Sequence, residues 1–160
     1  MSDARPITPA PFDAATYKAT TRAQWDAAAK AWDAWGDVLR RWLGDATTRM
    51  LDMAHVRAGS RVLDVAAGAG DQTLAAAERV GPTGYVLATD ISPEILRFAA
   101  ANAERAGLRN VRTAVADGET LDVPAAAFDA AFSRGGLIYF PDQQAALAAM
   151  KRALKPGGRI

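Results

Sequence analysis

The run Val62-Leu63-Asp64-Val65-Ala66-Ala67-Gly68-Ala69-Gly70-Asp71-Gln72-Thr73 constrains this chain more than any other segment. A short apolar stretch feeds a glycine-bearing turn, and beyond the turn the apolar residues take up helical spacing. A second apolar stretch, Tyr85-Val86-Leu87-Ala88-Thr89-Asp90, ends in an acid twenty residues after Gly70. Strand, glycine turn, helix, strand and terminal carboxylate together describe a pocket for a nucleoside-bearing ligand at the carboxyl edge of a parallel sheet.

The turn narrows the choice of ligand. Dinucleotide sites use G-x-G-x-x-G, with the third glycine admitting close helix packing and the helix N-terminus facing a pyrophosphate. Gly68 and Gly70 are present here, but Thr73 takes the third place, and Asp71 stands in the first helical turn. A carboxylate there complements the helix dipole and repels a phosphate that would compete for the same positive end. A cofactor with adenosine and no phosphate removes the conflict. S-adenosylmethionine (SAM) has that chemistry, with a ribose, an adenine and a zwitterionic tail beside a sulfonium. A nicotinamide-dependent oxidoreductase is the rival that shares the fold and the ribose-binding acid, and Thr73 and Asp71 disfavour it.

The rest of the pattern is α/β. Ile91-Ser92-Pro93-Glu94 starts a helix, with Ser92 as N-cap and Pro93 at the first helical position. Ile95, Leu96, Ala99 and Ala103 share one face of it, and Gly107 stops it. Val111 to Ala116 is a third strand, followed by Asp117-Gly118; Phe128 to Ser133 is a fourth. Asp142 to Leu154 reads as a helix closed by Pro156-Gly157-Gly158. Strands alternating with helices predict a doubly wound parallel sheet.

On these residues the segment from Arg61 to Ile160, about two-thirds of the chain, resembles a class I SAM-dependent methyltransferase. It is most similar to the group that includes the ubiquinone/menaquinone-biosynthesis C-methyltransferases. Five pieces carry the resemblance in order: Val62 to Gly70, Ala88 to Glu94, Ala116 to Glu119, Phe128-Asp129 with Ser133 to Leu137, and Leu154 to Arg159. The resemblance implies a Rossmann-like fold, SAM as cofactor and methyl transfer to a small-molecule acceptor, quinone-like or another carbon or oxygen nucleophile. It also implies a cofactor-binding set of Asp64, Ala66, Gly68, Gly70, Thr73, Asp90, Ile91, Asp117, Gly118 and Ser133.

Within that set, Gly68 and Gly70 would admit the methionine tail because no Cβ intervenes. Asp64 would orient the loop near the cofactor's ammonium, and Thr73 would contact the tail. Asp90 would accept from both ribose hydroxyls, Ile91 would pack on the adenine, and Asp117 with Gly118 would meet its amino group. The plainer alternative for either acid is a strand-end residue capping the next loop. Some relatives carry the serine where Arg134 stands. Tyr139 and Phe140 are either pocket wall or core. No catalytic residue is singled out, and a SAM-binding module without turnover is the non-enzymatic alternative.

Nineteen basic against eighteen acidic residues leave the chain nearly neutral, with no lysine/arginine block to suit a nucleic acid. Cysteine is absent, which excludes disulfides, thiol catalysis and thiolate metal sites. No apolar stretch is long enough to span a bilayer and no hydrophobic signal core precedes Lys18, so the expectation is a cytoplasmic protein.

The expected organisation is a flexible arm over residues 1–19, a helical lid or extension over residues 20–56, and a SAM-binding domain over residues 57–160. A helix is expected from Thr20 to Leu43, broken at Gly44-Asp45, with a second from Ala46 to His55. Trp25, Ala28, Trp32, Trp35, Leu39 and Trp42 form a stripe that packs on the domain, covers the cofactor, or does both. His55, the single histidine, reads as a linker or helix-end residue. Gly158-Arg159-Ile160 looks like the opening of a fifth strand, where the class has seven. The chain is therefore expected to be shortened, with an apolar sheet edge open to self-association.

Overall fold

The computed structural model describes residues 11–160, so the first ten residues of the expected arm lie outside the described residues. Five parallel strands form one sheet: β1 (Arg61–Val65), β2 (Tyr85–Asp90), β3 (Val111–Val115), β4 (Phe128–Phe132) and β5 (Leu154–Arg159), in the order β3-β2-β1-β4-β5. Among the described residues five α-helices accompany it: α1 (Ala14–Ala34), α2 (Gly36–Met53), α3 (Asp71–Val80), α4 (Pro93–Arg105) and α5 (Gln143–Ala153). This is the Rossmann-like, doubly wound α/β fold that the strand-helix alternation predicts. The chain runs outward from β1 to β3 and then returns to lay β4 on the other side of β1. That reversal opens a crevice above the carboxyl ends of the central strands.

Alternation along β1 builds the two faces. Val62 joins Val86, Ala130 and Phe132 against Leu51 of α2, Ala76 and Val80 of α3, and Ala103 of α4. Leu63 and Val65 point the other way, to Phe128, Ala131, Leu121 and Met150 of α5. Both layers are apolar and buried, as a parallel sheet covered on two sides requires.

The N-terminal helices differ from expectation. Helix begins at Ala14, not Thr20, because the Asp13 side chain caps it, accepting from the Ala15 amide at 3.0 Å. The last residues of the expected arm are thus its first turns. The break falls at Trp35 (φ −90°, ψ 4°), and Gly44 lies inside α2. A glycine in a helix interior costs about 1 kcal/mol, and α2 offsets that by burying Leu39, Thr47 and Leu51. The tryptophan stripe is divided in consequence: Trp25 is partly buried beneath α1, whereas Trp35 and Trp42 are 62% and 76% exposed.

Leu154 is also extended (φ −81°, ψ 141°), so the last helix stops at Ala153 and β5 includes the residues expected to close it. β5 covers β4 through a register shift between Phe128↔Leu154 and Ala130↔Arg159. The outer edges of the sheet are β3 and β5. Pro156 in β5 suits an edge strand, since its missing N–H removes no interior ladder bond. Among the described residues no helix is long and apolar enough to cross a membrane.

Candidate functional site

The turn after β1 is built on left-handed backbone at Ala66 (φ 59°), Gly68 (φ 59°) and Gly70 (φ 90°). The two glycines serve different purposes. A Cβ on Gly70 would lie 3.0 Å from Ala99 Cβ and 3.2 Å from Ala99 Cα, so this glycine lets α4 pack against the start of α3. Gly68 borders the crevice, and the nearest atom to a Cβ there would be Trp32 Nε1 at 3.5 Å.

Asp64 and Thr73 lie behind the turn and are fully buried. The Thr73 hydroxyl donates to Asp64 Oδ2 at 2.6 Å, and Gln72 Nε2 donates to Asp64 Oδ1 at 3.3 Å and to the Ala67 carbonyl at 3.1 Å. Burial pushes the Asp64 carboxyl up to about 7, against the downward pull of these bonds. The pair fixes the turn from below and leaves its upper surface to backbone and Gln72.

Asp90 closes β2 from above. Its Oδ2 accepts from the Gly68 amide and its Oδ1 from the Ser92 amide, each at 3.0 Å, while the carboxylate lines the crevice. Burial raises its pKa, and the backbone amides around it oppose the shift. α4 follows with Ser92 as cap, its Oγ accepting from the Ile95 amide at 3.1 Å, and Pro93 at the first position. After β3, Asp117 accepts from the Glu119 amide at 2.9 Å. Gly118 leaves room for the Phe140 ring, since a Cβ there would lie 2.5 Å from Phe140 Cζ and force the ring to move.

The crevice holds about 320 Å³, within the roughly 300–1,000 Å³ range of small-molecule sites. Ala66, Gly68, Asp90, Ile91, Asp117 and Gly118 line it; Asp64, Gly70, Thr73 and Ser133 stand behind the lining. Ser133 Oγ is buried and has no hydrogen-bond partner among the described residues, beneath Gly136, where a Cβ would lie 2.5 Å from that oxygen.

The polar anchors of the roof are the part that the tryptophan stripe does not announce. α1 crosses the crevice and is pinned at three points. Lys18 Nζ donates to Asp117 at 2.7 Å and Glu119 at 2.5 Å, Ser92 Oγ donates to Asp26 at 2.5 Å, and Asn102 Nδ2 donates to Asp33 at 2.7 Å. Trp25 stands edge-on to Trp32 and to Tyr139, with ring centroids 5.2 and 5.5 Å away, and all three rings line the cavity. The near-heptad spacing of Lys18, Asp26 and Asp33 beside Trp25 and Trp32 was the available signal. Opposite them, Arg134 donates to both Asp71 oxygens at 2.6 Å and to Thr47 Oγ1 at 2.7 Å.

A glycine turn after β1, an acid closing β2 and a roofed crevice at the reversal of strand order define an α/β domain with a small-molecule crevice at its switch point. Residues 62–158 match the methyltransferase domain family, and the chain belongs to that family. It is 38% identical over 141 residues to a ubiquinone/menaquinone biosynthesis C-methyltransferase of Methylococcus capsulatus, covering 87% of this chain and 57% of the relative. It is 39% identical over 112 residues to an aklanonic acid methyltransferase of a Streptomyces species, covering 70% of this chain and 51% of that one. Among solved structures, a SAM-dependent methyltransferase from Aquifex aeolicus superposes with a TM-score of 0.69 at 25% identity, over 91% of this chain and 69% of that chain. The chain spans about half the length of the curated relatives it matches.

Proposed function

We propose that the chain binds SAM in this crevice and serves methyl transfer to a small organic acceptor. The observation that carries the reading is the Asp90 carboxylate, held by two backbone amides at the edge of the glycine turn. The lining fits such a cofactor. Asp90 offers acceptors for a ribose diol, Ile91 an apolar face for a base, and Asp117 with Gly118 a polar edge for an exocyclic amine. The bare backbone at Gly68 and Ala66 gives room for the tail. Asp64 and Thr73 hold the turn in shape from beneath, Gly70 keeps α4 in place, and Ser133 Oγ supplies an uncommitted hydroxyl below the β4 loop.

Bound SAM supplies an electrophilic methyl group on a sulfonium, so the protein's task is position and exclusion of water. α1 performs the second part by roofing the crevice with Trp25 and Trp32. The acids on the lining are already engaged: Asp71 by Arg134, Asp90 by amides, Asp117 by Lys18. The acceptor is therefore one that brings its own nucleophile, a phenolate or an electron-rich ring carbon. The aromatic wall of Trp25, Trp32 and Tyr139 supports a flat, apolar acceptor. The quinone-biosynthesis and aklanonic acid methyltransferases among the relatives agree with that class.

Calorimetry with S-adenosylhomocysteine, paired with transfer of a labelled methyl from SAM to a panel of phenols and quinols, tests the reading. Binding with turnover on a ring acceptor is expected. Binding without turnover on any acceptor reduces the chain to a cofactor-binding module, and NADH binding without S-adenosylhomocysteine binding replaces the reading altogether.

A further inference from the structure

The strand order spreads the crevice into a line. Asp117 and Gly118 follow β3, Asp90 and Ile91 follow β2, Ala66 to Gly68 follow β1, and Arg134 to Gly136 follow β4. A nucleoside held by the β2 and β3 ends leaves its amino-acid tail over β1 and β4. Among the described residues, the cations lining the crevice are Lys18 and Arg134. Lys18 is spent at the β3 end on Asp117 and Glu119. Arg134 is thus the cation at the opposite end, facing the start of α3.

From this placement, and resting on the SAM reading above, we infer that Arg134 binds the α-carboxylate of the cofactor's tail. Asp71 alone would repel a carboxylate from the α3 N-terminus. Arg134 neutralises it through a two-oxygen contact, with the two side chains only 16% and 10% exposed. Thr47 of α2, itself buried, orients the guanidinium by accepting from Nη1 at 2.7 Å. These bonds use Nη2 and one hydrogen of Nη1; Nε and the other Nη1 hydrogen donate to no protein acceptor among the described residues. A planar guanidinium pre-oriented on one carboxylate, with a second donor edge remaining, is suited to a second carboxylate.

The test compares two ligands that differ only at the tail. S-adenosylhomocysteine carries it, and 5′-deoxy-5′-methylthioadenosine has the same nucleoside without the carboxylate. In calorimetry, Arg134→Gln weakens S-adenosylhomocysteine by about ten- to a hundredfold, the loss expected for a charge-assisted hydrogen bond, and leaves methylthioadenosine within about twofold. Arg134→Lys restores part of the loss. Because Arg134→Gln strands the partly buried Asp71, the double variant Asp71→Asn with Arg134→Gln leaves no unpaired charge and must show the same selective loss. If both ligands weaken in parallel, or neither does, Arg134 is a structural ion-pair partner and the inference fails while SAM binding stands. If the unaltered protein binds neither ligand, the cofactor reading fails and takes this inference with it.

Discussion

Gly70 faces Ala99 with no room for a methyl group: a Cβ would approach the Ala99 Cβ to 3.0 Å and its Cα to 3.2 Å. The contact joins the turn after β1 to the middle of α4, and its backbone φ of 90° already favours glycine. Gly70→Ala is expected to destabilise the fold by about 2–4 kcal/mol, from left-handed strain and overpacking together. Gly107→Ala is the control, since Gly107 shares the positive φ (70°) but has nothing within 4 Å of its would-be Cβ. It should cost only about 1 kcal/mol. Equal losses in urea unfolding would show that the helix contact contributes nothing.

Asp90→Ala is expected to weaken S-adenosylhomocysteine binding by about 1–3 kcal/mol, the usual loss for a charge-assisted partner. Calorimetry measures it directly. An unchanged affinity would remove the ribose from this end of β2.

Asp64 gives the stability a pH dependence of known sign. Burial raises its folded-state pKa to about 7 from an ordinary 3.8, and the bonds from Thr73 and Gln72 only partly oppose this. The folded state therefore holds the proton more tightly than the unfolded chain does. The stabilisation is complete below the unfolded value of 3.8 and is lost as pH rises through about 7. Asp64→Asn, which cannot ionise, removes the effect. Relative to that variant, the unaltered protein should lose on the order of a few kcal/mol between about pH 5 and about pH 8. A stability difference that stays flat across that window would count against a titrating Asp64.

Lys18→Met should loosen α1 from the crevice rim. The Lys18 side chain is 23% exposed and its ammonium bridges Asp117 and Glu119, a partly buried arrangement worth about 1–2 kcal/mol. Hydrogen exchange of α1 amides should quicken by about five- to thirtyfold, with that of β1 and β2 unchanged. Uniform quickening would mean that Lys18 supports the whole fold and not its roof.

The elements of the sheet were legible because their signals are local. Short, nearly continuous apolar runs mark β1 and β2, and Ser92-Pro93 states the start of α4 in two adjacent residues. Asp90 and Asp117 could be placed at strand ends for the same reason. Gly44 is a breaker by propensity, but burial of Leu39 and Leu51 carries α2 through it, and only tertiary packing reveals that. No local signal reports that Gly70 packs on Ala99, or that the Thr73 hydroxyl donates to Asp64 behind the turn. The Asp71–Arg134 pair joins residues sixty-three positions apart, and no spacing rule reports such a contact.

The grip of Lys18 on Asp117 has a consequence for how the chain responds to an occupant. The same carboxylate borders the cavity and anchors the first helix, so a molecule claiming one of its oxygens alters the hold on that helix. Occupancy then becomes readable at a distance, as a change in how readily a protease attacks the segment ahead of the sheet.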